Sequence, residues 1–270
     1  MKKRLFTYAI VFCSGLFLAL SVIYYAEWRY EEDIMDVLVQ NVDNSCQGQS
    51  LANRLDTAMM LTHKVVDPMH EIYGKTDFYP LKNFFVSPSF AIYYFGKDAC
   101  GGYTSFTARL LGKMGLHTRF VEQYVNGTPG AHITLAVEQG QQLFLIDPMF
   151  KWSMRDTLGN LSDIHTVAAN WDYYFRHRPS RYRRSYNYKG GWTYTNWDKY
   201  GRFSRGIYNI GVKLVGAPKM NSISLRTHFL NITEGVFFLI CLLLTCLLAY
   251  LIRRYMRYRN INKGTTSVQA

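Results

Sequence analysis

The chain has 270 residues, with 31 Lys and Arg against 19 Asp and Glu for a formal charge of +12, and five cysteines. That length holds one ordinary domain with additional segments. The charge by itself would fit a nucleic-acid binder, but much of it flanks two apolar segments and acts on topology, which excludes that use for the middle of the chain.

Residues 5–26, LFTYAIVFCSGLFLALSVIYYA, form an uncharged run of 22 residues after Lys2, Lys3 and Arg4. As a helix rising about 1.5 Å per residue, it crosses a hydrocarbon core of about 30 Å. A signal peptide shares the basic start, but this run exceeds a signal core and no small-x-small cleavage site precedes Glu27. Residues 236–252, VFFLICLLLTCLLAYLI, are also uncharged, and Arg253, Arg254, Arg257 and Arg259 follow. A buried core helix is the alternative; the basic flank favours a membrane stop within 231–252. Short basic flanks stay in the cytoplasm. The expected topology therefore has residues 1–4 and 253–270 inside and residues 27–230 outside, in a bacterial inner membrane with the central part periplasmic.

The outer part begins with a polar, acidic linker, 27–50, that continues the first helix. Residues 51–66 carry apolar side chains at 51, 55, 58, 59 and 65, a helical pattern expected to end before Pro68. The aromatic segment 79–95 reads as irregular structure. From Cys100, the residues Tyr103, Phe106, Thr107, Leu110, Leu111 and Met114 recur at helical steps, and Gly115 suits the helix end. A strand is expected over 116–125, then a loop at 126–130. Two strands follow, HITLAVEQ and QQLFLID, around a turn at Gln139 and Gly140. A turn centred there opposes residues whose numbers sum to 279, which pairs His132 with Asp147 on one sheet face. Opposed Cβ atoms lie about 4.5–5.5 Å apart.

Cys100 thus stands at a helix N-terminus, where unpaired N–H groups and the helix dipole favour a thiolate and an oxyanion. Gly101 and Gly102 remove bulk beside it. His132 is suited to take the thiol proton and Asp147 to fix the imidazole tautomer. The duller alternatives are a turn at the glycines, an exposed strand histidine, an Asp-Pro strand end, and a structural disulfide between Cys46 and Cys100. Cys13, Cys241 and Cys246 lie in the apolar segments.

The run from Cys100 to Pro148 resembles the transglutaminase-like domain, a rearranged relative of papain-type cysteine proteases. The match comprises Cys100, Ala108 and Leu111, then Gly115-Leu116-His117-Thr118-Arg119, Ala131-His132 and Asp147-Pro148. It departs from the family where Ile133 and Thr134 follow His132 in place of an aromatic. The resemblance implies an α+β papain-like core over 51–175, with a helix-borne Cys and an antiparallel sheet carrying His and Asp, between two transmembrane helices. It implies Cys100 as nucleophile, His132 as base and acid, and Asp147 as orienter, in acyl transfer from an amide or ester to water or an amine. Tyr93 or Tyr94 is the candidate second oxyanion donor.

After Trp171 the composition turns basic and aromatic. From 171 to 205 there are nine Lys or Arg, two Asp and seven Tyr. The extension 176–230 reads either as a solvated face with aromatics resting on the domain or as a polyanion or lipid-headgroup surface formed by Arg176, Arg178, Arg181, Arg183 and Arg184. No metal or cofactor motif is evident; His63 and His70 flank Pro68 without ligand spacing. The expected partners are an envelope or membrane protein and a peptide or glycoconjugate substrate, not nucleic acid. The alternative to an enzyme is a non-catalytic scaffold using the basic aromatic surface.

Overall fold

The computed structural model describes residues 2–73, 100–125, 128–198, 201–228, 230 and 232–266. The chain divides into two units, one made mainly of residues 1–31 and 231–270, the other mainly of residues 32–83 and 88–230.

In the first unit, the beginning of α1 (Lys2–Ser45) lies beside the last helix, α9 (Ile232–Thr266). The two run antiparallel: Arg254 sits over the Phe6 ring at 5.9 Å, while Tyr25 meets Phe237 at 5.6 Å. Both are long and apolar enough to cross a membrane. Their apolar side chains point outward: Phe12, Leu18, Leu242 and Ile252 are exposed. Ser14 and Ser21 return their hydroxyls to the carbonyls of Ile10 and Phe17, so neither adds an unsatisfied donor.

The second unit is a mixed α+β fold around an open, wholly antiparallel sheet. Its strands are β1 (Thr118–Val125), β2 (Thr128–Gln139), β3 (Gln142–Asp147), β4 (Trp152–Ser153) and β5 (Trp192–Thr193), in the spatial order β4-β3-β2-β1-β5. Alternation sends Ile133, Leu135 and Val137 to one face and Ala136 to the other. The first face carries α2 (Leu51–Tyr73), α3 (Cys100–Lys113) and the end of α1, with Leu55, Met59, Phe106, Leu110 and Leu111 in the core. The second carries α4 (Ile164–Ala169) and α5 (Trp171–Arg176), with Trp171, Tyr182 and Tyr188 buried. Each fully buried Leu, Ile or Phe contributes about 1.5–3 kcal/mol. Arg109 pairs with Glu32 at 2.6 Å and Lys113 with Asp36 at 3.1 Å, which ties α3 to α1.

Helix α3 begins at Cys100, as its spacing predicts, and ends in a Schellman motif. Gly115 has φ +78°, its N–H reaches Gly112 O, and Leu116 N–H reaches Leu111 O at 2.9 Å. Three expectations need correction. Helix α2 does not stop before Pro68 but runs through it to Tyr73. A proline inside a helix forfeits a backbone bond at about 3 kcal/mol; buried Val66 and the bonds of His63 and Asp67 hold this turn in place. Strand β2 starts at Thr128, within the stretch expected to be loop. The hairpin register is also shifted, because the turn residues are Gly140 and Gln141. Leu135 opposes Ile146 and Gln139 opposes Gln142, so paired numbers sum to 281 rather than 279.

Candidate functional site

A shift of two residues keeps every side chain on its own face. His132 and Asp147 therefore still share a face, as diagonal rather than directly opposed neighbours. His132 Nε2 lies 2.6 Å from Asp147 Oδ2, and both side chains are fully buried. Pairing between β1 and β2 is irregular between Glu122 and Tyr124, opposite the start of the His132 stretch. Such irregularities re-aim side chains at strand ends.

Cys100 approaches from the helix layer on the first face. Its thiol is coupled electrostatically to His132 and to the Ile133 backbone. With Nε2 taken by Asp147, the ring's other nitrogen, Nδ1, is buried without a hydrogen-bond partner and is the atom available to the sulfur. Thr104 Oγ1 bridges the two elements, 2.6 Å from Cys100 O and 3.1 Å from Ile133 O. All five cysteines are free thiols. Cys46 is buried and donates to Thr57 Oγ1 at 3.1 Å, so the thiol considered as its bridging partner is unbonded.

The electrostatics of the pair run in opposite directions. Burial pushes the Cys100 thiol up, but the hydrogen bond and charge of His132, with the Ile133 N–H, outweigh it and leave the thiol below its ordinary value. Burial pulls His132 down, but the charge and hydrogen bond of Asp147, together with Cys100, push it up to about 9. Both shifts run in the direction that favours a thiolate–imidazolium pair.

Around this pair stands an aromatic cage. Tyr186 stacks flat on His132, with ring centroids 4.3 Å apart and planes 5° from parallel. Tyr182 meets the ring edge-on at 5.8 Å, and Phe150 lies at 5.7 Å. Phe150 reaches this position through the 3₁₀ turn Pro148–Phe150, closed by Lys151 in the left-handed region at φ 51°. Beneath the cage, Gln123 Nε2 donates to Tyr182 OH at 3.0 Å, and Thr134 and Tyr188 share a hydrogen bond at 2.8 Å. On the first face, His63 bonds Pro148 O at 2.9 Å and Asp67 at 3.1 Å, and stacks on Tyr103. The carbonyl immediately after Asp147 is thus held by a second histidine.

The expected basic residues distribute unevenly. Arg176, Arg181, Arg183 and Arg184 are exposed. Arg178 is partly buried; its guanidinium lies over the Phe175 ring at 3.7 Å and donates to Phe175 O. Arg183 lies over Tyr186 at 6.0 Å. Tyr93 and Tyr94 lie outside the described residues.

Two neighbours of the thiol carry no local sequence signal. Tyr186 sits among charged residues in a non-periodic stretch. Arg226, from α8 (Leu225–His228), brings its guanidinium to the helix start: a Cβ on Gly101 would stand 3.5 Å from Nη1. Its Nε also pairs with the buried Glu122 carboxylate at 3.5 Å, so only part of its charge adds to the helix dipole in favouring an anion there. Among the described residues, no group of three or more His, Cys, Asp or Glu side chains is gathered as metal ligands.

No protein-family model matches this chain, and no curated protein or solved structure matches it either. The functional reading therefore rests on the site itself.

Proposed function

We propose that this chain is a membrane-anchored cysteine acyl-transfer enzyme of transglutaminase-like type, acting on an amide or ester of an envelope peptide, protein or glycoconjugate. The observation that carries the reading is the fully buried His132–Asp147 pair, bonded at 2.6 Å, beside a thiol at a helix N-terminus. In this reaction the Cys100 thiolate attacks the carbonyl carbon. The oxyanion that forms is met by the N–H groups opening α3, with Arg226 close by. His132, held by Asp147, protonates the departing amine or alkoxide, and a thioester remains on Cys100. Water or an acceptor amine, deprotonated by His132, then attacks the thioester and frees the sulfur.

The chain is read as a two-pass protein of a bacterial inner membrane, with both termini cytoplasmic and the second unit periplasmic. The antiparallel course of α1 and α9 and the basic residues at their ends support this.

The decisive test is alkylation of the full-length protein by iodoacetamide across pH, with the modified peptide identified by mass. The reading expects Cys100 to react with an apparent pKa below the reference of about 8.5 and to lose that reactivity on His132→Ala. An ordinary pKa unmoved by His132→Ala overturns it.

The exposure of Arg181, Arg183 and Arg184 favours a second reading, a scaffold subunit with a basic aromatic surface. Under it, neutralising these three arginines abolishes cellular activity while Cys100→Ala preserves it. The enzyme reading expects the reverse.

A further inference from the structure

Helix α6 (Gly201–Val215) has an apolar stripe that no part of the described protein covers. Phe203, Ile207, Ile210 and Leu214 recur at steps of four, three and four, which lines them up on one face. They are 79%, 46%, 62% and 77% exposed. An adjacent face of the helix is fixed to the domain. Ser204 is buried and donates to Trp197 O at 2.6 Å. Tyr208 packs on Trp197 and donates to Asn221 Oδ1 at 2.9 Å. Gly211 leaves its Cβ space to the Met220 thioether of α7 (Ala217–Asn221). The stripe is therefore held outward by packing and is not the inner face of a helix that has come loose.

The charges on α6 are of one sign. Arg202, Arg205 and Lys213 are its only charged residues, and Lys219 follows on α7. Asp198 pairs with Arg205 at 2.9 Å. Arg202 and Lys213 remain exposed along one edge of the stripe. A rigid apolar wedge bordered by cations is the composition of a helix lying in a membrane interface. The chain also limits how far α6 can stand from a bilayer. Only residues 216–231 separate it from α9, and nine of them are helical in α7 and α8. At about 1.5 Å per helical and about 3.5 Å per extended residue, this tether spans at most about 40 Å.

We propose that α6 lies in the interface of the bilayer that α1 and α9 cross, with Phe203, Ile207, Ile210 and Leu214 among the upper acyl segments and Arg202 and Lys213 against anionic phospholipid headgroups. The occupant of the stripe is lipid rather than a protein groove, because the helix is already tethered beside the membrane and carries no acidic side chain to disfavour an anionic surface. The proposal needs the two apolar helices to span and is independent of the chemistry at Cys100.

The test uses the full chain in vesicles of phosphatidylethanolamine and phosphatidylglycerol at about 3:1, with photoreactive benzoylphenylalanine at position 210, 214 or 209. Positions 210 and 214 are expected to yield protein–phospholipid adducts by mass, at least about fivefold above position 209, which is exposed away from the stripe. Replacing phosphatidylglycerol by phosphatidylcholine is expected to lower the adduct at 210 by about twofold or more. Crosslinks from 210 and 214 to a second copy or another protein, or equal lipid labelling at 209, overturn the proposal. An adduct yield indifferent to the anionic lipid overturns its electrostatic part.

Discussion

Residues 100–147 and residues 171–215 make an instructive pair. The first stretch is periodic, moderately charged, and builds a helix and a hairpin; its candidate site groups are the fully buried His132 and Asp147 and the half-buried Cys100. The second is crowded with arginine and tyrosine and forms the short helix α5, tight turns, the two-residue strand β5 and the helix α6. Its decisive groups are rings that sink inward, Tyr182 and Tyr188, and an apolar helix face that stays outside. Periodicity therefore says where a side chain points, and not whether that side chain matters. In RYRRSYNY the exposed Arg181, Arg183 and Arg184 surround a buried Tyr182, because a tight turn reverses direction within a residue or two where a helix would take a half turn. The second region completes the first: Tyr186 and Tyr182 close over His132.

The contrast can be broken most severely at the sulfur. Cys100→Ala is expected to lower turnover of an amide or thioester surrogate by about 10³-fold or more, with the thermal unfolding of the second unit unchanged. An unfolding shift of several degrees would make Cys100 a packing residue. Next come the two core faces. Phe106→Ala on the first face should cost about 3–5 kcal/mol and Leu145→Ala on the second about 2–5 kcal/mol, read by chemical denaturation in detergent. If Leu145→Ala costs nothing, the aromatic stretch is not packed on the sheet.

A smaller loss is expected at the polar layer that joins the regions. Tyr188→Phe strands the Thr134 hydroxyl and should cost about 1–3 kcal/mol, while Thr134→Val combined with Tyr188→Phe should recover part of it. The pH dependence sharpens the comparison further. The native state holds the His132 proton up to about 9, against about 6.5 in the unfolded chain. Its contribution to stability is full below about pH 6.5 and is lost as pH rises through about 9, since the native state binds the extra proton within that window. Asp147→Asn removes the largest force holding that proton and should move the loss to lower pH. Least of all, neutralising Arg181, Arg183 and Arg184 together should change stability by less than about 0.5 kcal/mol per site, because these side chains are exposed.

Much of the first region could be read from its residues. The start of α3 follows from the spacing of Tyr103, Phe106 and Leu110, and its end from Gly115. The common face of His132 and Asp147 follows from strand parity, which survives an error of two in register. That error has a local source: EQGQQ offers Gly140 either turn position, and it takes the first, with φ +62°. The passage of α2 through Pro68 was hidden because tertiary bonds overrode a local breaker. His63, noted only for its distance from His70, gains its role from Pro148, 85 residues away. Arg226 reaches the helix start from more than a hundred residues away, a contact that no local window contains. The stripe on α6 was present in the sequence as Phe203, Ile207, Ile210 and Leu214, obscured by the interspersed glycines Gly206 and Gly211.

The enclosure of His132 also has a kinetic side. The imidazole has no exposed surface and is sealed by a parallel Tyr186 ring. A buried imidazole covered by a ring exchanges its proton with bulk solvent more slowly than an exposed histidine does. Tyr186→Ala, which uncovers the ring, is expected to speed that exchange, as read by NMR line shapes of the His132 ring protons.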